Sequence, residues 1–123
     1  MTNIILVAAG GALGAILRYK LGGFVFHHSS GWKFPLSTFS VNTAGCLIAG
    51  LLAGLIERHD LFSAQQRLIL FTGILGGFTT FSAFSLETVT LIQKHQTTTA
   101  VLYVFASIIA GLSALYMGLK ITS

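Results

Sequence analysis

The chain has 123 residues, one domain in length; 54% are hydrophobic, and seven basic against three acidic side chains give a formal net charge of +4. Soluble domains carry roughly 25% charged residues, so this composition cannot furnish a water-facing surface, and an integral membrane protein is the class that remains. The basic residues Arg18, Lys20, Lys33, Arg58, Arg67, Lys94 and Lys120 are scattered singly. Without a basic stripe there is no footprint for nucleic acid, and such residues suit span ends, where long cationic side chains snorkel to lipid headgroups.

Apolar runs of about 20 residues fall at four places. The first predicted span covers residues 4–26 and is interrupted by Arg18 and Lys20. Its charges follow the apolar run, so it reads as a span and not as a cleaved signal peptide. The second, residues 34–56, is charge-free and carries Thr38, Asn42 and the lone Cys46. One cysteine supports neither a disulfide framework nor a thiolate metal site. The third, residues 68–93, contains Glu87, and the fourth, residues 98–119, is again charge-free, with Tyr103 and Ser107 one turn apart. Tyr19 and Trp32 suit the interfacial aromatic belt. The four histidines, His27, His28, His59 and His95, fall in the short connections, without metal-ligand spacing or an adjacent nucleophile, so no enzyme active site is expected.

Small residues recur at helical spacing: Gly10 with Gly14, Gly50 with Gly54, and Ala106, Ala110, Ala114 and Gly118. Such stripes allow close helix approach in lipid, either inside one subunit or between two. Orientation is equally open. The side shared by the termini and the middle connection holds Arg58, Arg67 and Lys120; the other holds Lys20, Lys33 and Lys94, with Arg18 as a further candidate. The positive-inside rule does not choose between them. Either another signal orients the chain, or it inserts both ways and pairs head to tail with itself.

The third span carries the chemistry. From Arg67 to Lys94 is 28 residues, roughly 42 Å of continuous α-helix against a hydrocarbon core of about 30 Å. Tilt would absorb the excess, and so would a non-helical break around Gly76-Gly77 and Thr79-Thr80, all weak helix formers. Freed carbonyls at membrane depth need protein, water or an ion to satisfy them, and they make a ready cation site. The competing reading is a flexible, well-packed Gly-Gly helix. Beyond it, Phe78, Phe81 and Phe84 share one helical face and Ser82 and Ser85 an adjoining one. A phenylalanine stripe alone reads as lipid-facing or core, but interleaved hydroxyls need a polar partner, which Asn42, Tyr103 and Ser107 could supply. Nearly all these groups are uncharged donors, and phenyl edges carry partial positive charge. The set suits a small, strongly hydrated anion.

The run GGFTTFSAFS (residues 76–85), with Ser40-Val41-Asn42 upstream and Gly11-Ala12-Leu13-Gly14 running to Arg18, resembles the Fluc/CrcB fluoride channel family over all four spans. The resemblance implies an all-α membrane protein with four transmembrane helices and a broken third helix, assembled as an antiparallel, dual-topology homodimer. It implies passive export of fluoride across the cytoplasmic (inner) membrane of a prokaryote, through two pores per dimer, with a structural Na⁺ at the dimer axis. The backbone carbonyls of Gly76 and Thr79 match the Na⁺ ligands. Phe81 and Phe84 match the pore phenylalanines, Asn42 the pore asparagine, and Tyr103 and Ser107 the fourth-span lining. Ser82, Ser85 and Glu87 match polar pore positions, and Thr38 and Arg18 fall near the pore mouth. One position departs: the family usually reads TTFSTFS, and Ala83 replaces the second threonine, removing one pore hydroxyl. The alternative is a small multidrug-resistance-type proton-coupled exporter, which shares four short spans and dual topology. It would require an acid in the first span, and there is none.

Overall fold

The computed structural model describes all of residues 1–123, and every regular element in it is helical. Four helical spans are long and apolar enough to cross a membrane: Thr2–His28, Leu36–His59, Ala64–Gln93 and Thr97–Thr122. Only 15 of 123 residues are buried, while Ile4, Ile16, Leu112 and Ile121 stand exposed on the flanks. Water would not tolerate that outer surface; hydrocarbon does. The chain is a multi-pass membrane protein.

The span ends differ from the apolar runs for local reasons. The first helix continues to His28, so His27 and His28 belong to its last turn, and His59 to that of the second, rather than to connections. The second begins at Leu36 because Pro35, with φ −74° and no N–H to leave unpaired, occupies its N-cap. The third begins at Ala64, ahead of the apolar run, because Ser63 and Gln66 cap each other. Gln66 N–H donates to Ser63 Oγ at 3.1 Å and Ser63 N–H to Gln66 Oε1 at 2.8 Å. After that turn, Leu68–Leu75 is π-helical, a wide winding that occurs frequently at functional sites.

Glycines set the packing. A side chain at Gly50 would meet the Leu115 backbone, and one at Gly118 the backbone of Leu47 and Leu51, so the second and fourth spans touch main chain to main chain. The first span meets the third in the same way, Gly14 against Ile74 and Phe78. Both GxxxG pairs are thus used inside the subunit. Gly76 and Gly77 stay helical, and Gly77 lies against the Gly11 backbone. The residues with extended backbone are Thr79 (φ −90°, ψ 157°) and Thr80 (φ −149°, ψ 113°), after which Phe81–Gln93 is again α-helical. β-Branched threonine suits that region of φ/ψ space.

Candidate ion pathway

An extended pair of residues in a helical bundle has no neighbouring strand to bond, so its polar atoms must find side chains. Asn42, from the second span, provides one. Its Nδ2 donates to Thr80 O at 3.0 Å, and its Oδ1 accepts from Thr80 N–H at 2.8 Å. A side-chain amide is the group that can satisfy both at once. Thr80 Oγ1 then accepts from Ala83 N–H at 3.1 Å, capping the following helix.

These bonds have a consequence for the carbonyls. In a continuous helix Thr80 N–H would go to Gly76 O, and Ala83 N–H to Thr79 O; both donors are diverted, to Asn42 and to Thr80 Oγ1. Gly77 O is taken by Arg18 Nε at 3.0 Å, so Arg18 turns inward to the third span instead of snorkelling to headgroups. Gly76 O and Thr79 O, the pair that the resemblance implies as Na⁺ ligands, have therefore lost their helical donors. Neutral, hard carbonyl oxygens fit a small hard cation.

Beside this segment runs a groove lined by Asn42, Thr79, Thr80, Phe81, Phe84 and Ser107, with Cys46 and Ile108 completing it and no charged side chain among them. Ser107 Oγ is buried without a hydrogen-bond partner. The Phe81 and Phe84 rings lie 5.7 Å apart, and Phe84 leans on Tyr103 at 5.1 Å. Phe81 is 78% exposed on the subunit surface.

Thr80 also lines a second groove, with Arg18, Thr38, Ala83 and Glu87. Glu87 is held there by two hydroxyls: Thr38 Oγ1 donates to Oε2 at 2.9 Å and Tyr103 O–H to Oε1 at 3.1 Å. Tyr103 is fully buried and lines neither groove; it meets the site through Glu87 and the tilted ring of Phe84. Ser82 is exposed, its Oγ 3.3 Å from Thr80 Oγ1, and Ser85 is half-buried and lines neither groove. Asn42, Phe81, Phe84 and Ser107 thus come together, Thr38 and Glu87 meet next door, and Ser82 and Ser85 stand apart.

The sequence placed Thr80 only in the expected break and not among the pathway residues, yet it joins the two grooves. Its signal was a threonine immediately before an apolar helical run, the usual N-cap cue, obscured by the family motif around it. Cys46 was set aside as a solitary thiol and proves to be a wall of the uncharged groove.

Residues 5–119 match the family described as CrcB-like protein, Camphor Resistance (CrcB). The chain belongs to the CrcB-like family. Among its relatives, the fluoride-specific ion channel FluC of Methylobacillus flagellatus is 46% identical over 98% of this chain and 94% of its own length. The protein of the same name from Hyphomonas neptunium is 49% identical over 97% and 94%, and the fluoride-specific ion channel FluC 2 of Rhodococcus jostii 46% identical over 98% and 99%. These relatives are channels by name, not enzymes and not drug exporters, so the multidrug-exporter alternative is not favoured for this CrcB-like chain.

Proposed function

We propose that this CrcB-like chain is a passive, fluoride-selective channel that exports F⁻ across the cytoplasmic membrane of a prokaryote. The observation that carries the reading is the uncharged groove, where Asn42, Phe81, Phe84 and the unpartnered Ser107 hydroxyl converge. Fluoride holds its hydration shell more tightly than any other halide, so a pore that strips the shell must offer several donors at short range. Asn42 has one amide hydrogen left after binding Thr80 O, Ser107 has its hydroxyl hydrogen, and the ring edges of Phe81 and Phe84 add weak positive potential. With no fixed cation in the groove the ion is solvated and not trapped. Thr38, Glu87 and Tyr103 continue the pathway as a hydrogen-bonded relay of polar groups, and the hydroxyls of exposed Ser82 and half-buried Ser85, outside both grooves, complete it.

The channel works as an antiparallel homodimer with two pores. The near-equal loop charges support insertion in both directions, and the exposed Phe81 beside the extended segment supports a second copy as its cover. At the dimer axis Gly76 O and Thr79 O from each subunit would hold one structural Na⁺. When bound, the ion supplies the positive charge that lets four carbonyl dipoles converge in a dry interface, which is costly without a partner.

The test is efflux of fluoride from loaded liposomes containing the reconstituted chain, compared with chloride under the same driving force. Fast fluoride release with negligible chloride release supports the channel; equal release of both halides, or none of either, refutes it.

A further inference from the structure

The second groove does not end at Glu87. A third hollow shares Phe26, Ser37 and Glu87 with it, and its outer wall carries Ser29, Lys33 and Lys94. Because Thr80 joins the uncharged groove to the second, the three hollows form one line of shared walls. It runs from the extended segment to the end of the bundle where the first and third connections lie. Lys33 and Lys94 come from those two separate connections, yet both stand at the outer end of this line, and both are exposed. Neither is paired with a carboxylate, since the chain's single ion pair joins Arg67 to Asp60. Glu87 is seven residues before Lys94, roughly 10 Å along the helix, and both its oxygens are occupied by the Thr38 and Tyr103 hydroxyls.

We propose that Lys33 and Lys94 form an anion-gathering mouth, where two unpaired ammonium groups concentrate a small monovalent anion and offset the carboxylate that it must pass farther in. This rests on the reading of the grooves as the fluoride pathway. Two like charges on low-dielectric walls focus the field into the opening, and because both ammonium groups are exposed that field is strong in dilute salt and lost in concentrated salt. The lysines act on arrival of the ion, not on its passage beyond Thr80.

The experiment uses the full chain in liposomes, with initial fluoride efflux read at sub-saturating fluoride in low and high concentrations of an impermeant salt. At low salt, K33Q/K94Q is expected to be slower than the unmodified protein by up to about twofold, because an antiparallel pair turns this mouth toward the liposome interior in only one of its two pores. In salt near 1 M, where the Debye length is about 3 Å, the two rates converge. The charge-preserving pair K33R/K94R keeps the unmodified rate and its salt dependence. Equal rates for the glutamine pair and the unmodified protein at low salt, a deficit that salt does not close, or failure of the arginine pair to preserve the rate would each overturn the inference while leaving the channel reading intact. Absence of fluoride efflux from the unmodified protein would overturn both.

Discussion

Asn42 holds both polar atoms of the Thr80 backbone, and the uncharged groove keeps its shape only while that backbone stays extended. Asn42→Ala removes two interhelical hydrogen bonds, each averaging about 0.6 kcal/mol in membrane proteins, and returns Thr80 N–H to competition for Gly76 O. The expected outcome is a lower melting temperature in detergent together with loss of fluoride efflux. A variant with unchanged melting and unchanged efflux would show that the clamp is dispensable. Phe84 has a different role, since its ring both lines the groove and packs against Tyr103. Phe84→Ile should keep dimer elution on size exclusion while slowing efflux by about tenfold, equivalent to about 1.4 kcal/mol of barrier. Ala83 lines the second groove beside Thr38 and Glu87, where a hydroxyl would add a donor. Ala83→Thr should therefore raise efflux about two- to tenfold, the range set by a neutral hydrogen bond of about 0.5–1.5 kcal/mol; equal rates in parallel assays would place that position outside the slow step.

Elements in this bundle are held by backbone contact more than by interlocking side chains, and substitutions at glycine should report it. Gly50→Val forces a branched side chain into the Leu115 backbone, while Gly23→Ala meets nothing within 4 Å. The first should lose well-folded protein in a thermal-stability assay and the second should match the parent; comparable stability of the two would contradict the packing described. The spans themselves were legible because lipid imposes a long apolar run whatever the tertiary structure. Their ends were legible only in part, since Pro35 and the Ser63–Gln66 cap move helix starts by local bonds that hydropathy does not register. Weak helix propensity marked Gly76-Gly77 and Thr79-Thr80 alike; close packing against Gly11 keeps the glycines helical, and the extended backbone falls on the threonines, where an asparagine 38 positions earlier satisfies Thr80 N–H. That pairing, the inward turn of Arg18 onto Gly77 O, and the burial of Tyr103 behind Phe84 are all long-range contacts. Residue types marked the candidates, but only the bundle decides which of them share a groove.

For the whole molecule, the proposed function makes the subunit half of a working unit. Its cationic residues are divided almost evenly between the two ends of the bundle, so several lysines added to one end should fix orientation. A lone variant of this kind should lose most of its fluoride efflux, and co-expression with a variant biased the opposite way should restore it. Full efflux from a chain that inserts in one direction only would contradict the antiparallel pair. Sodium bears on the same scale: replacing Na⁺ by a large organic cation should shift detergent-solubilised protein from dimer toward monomer without need of any fluoride gradient, and an unchanged elution profile would count against the axial ion.

In the proposed channel fluoride crosses alone, as a charge, down its own gradient. The decisive measurement is fluoride efflux from potassium-loaded liposomes near neutral pH, before and after addition of valinomycin, with and without an imposed proton gradient. Because an anion leaving by itself builds an opposing potential, efflux should stall until valinomycin lets potassium follow, and it should then proceed at the same rate whichever way the proton gradient points. Rapid efflux without valinomycin that follows the proton gradient would mean coupled, electroneutral transport and would contradict the channel.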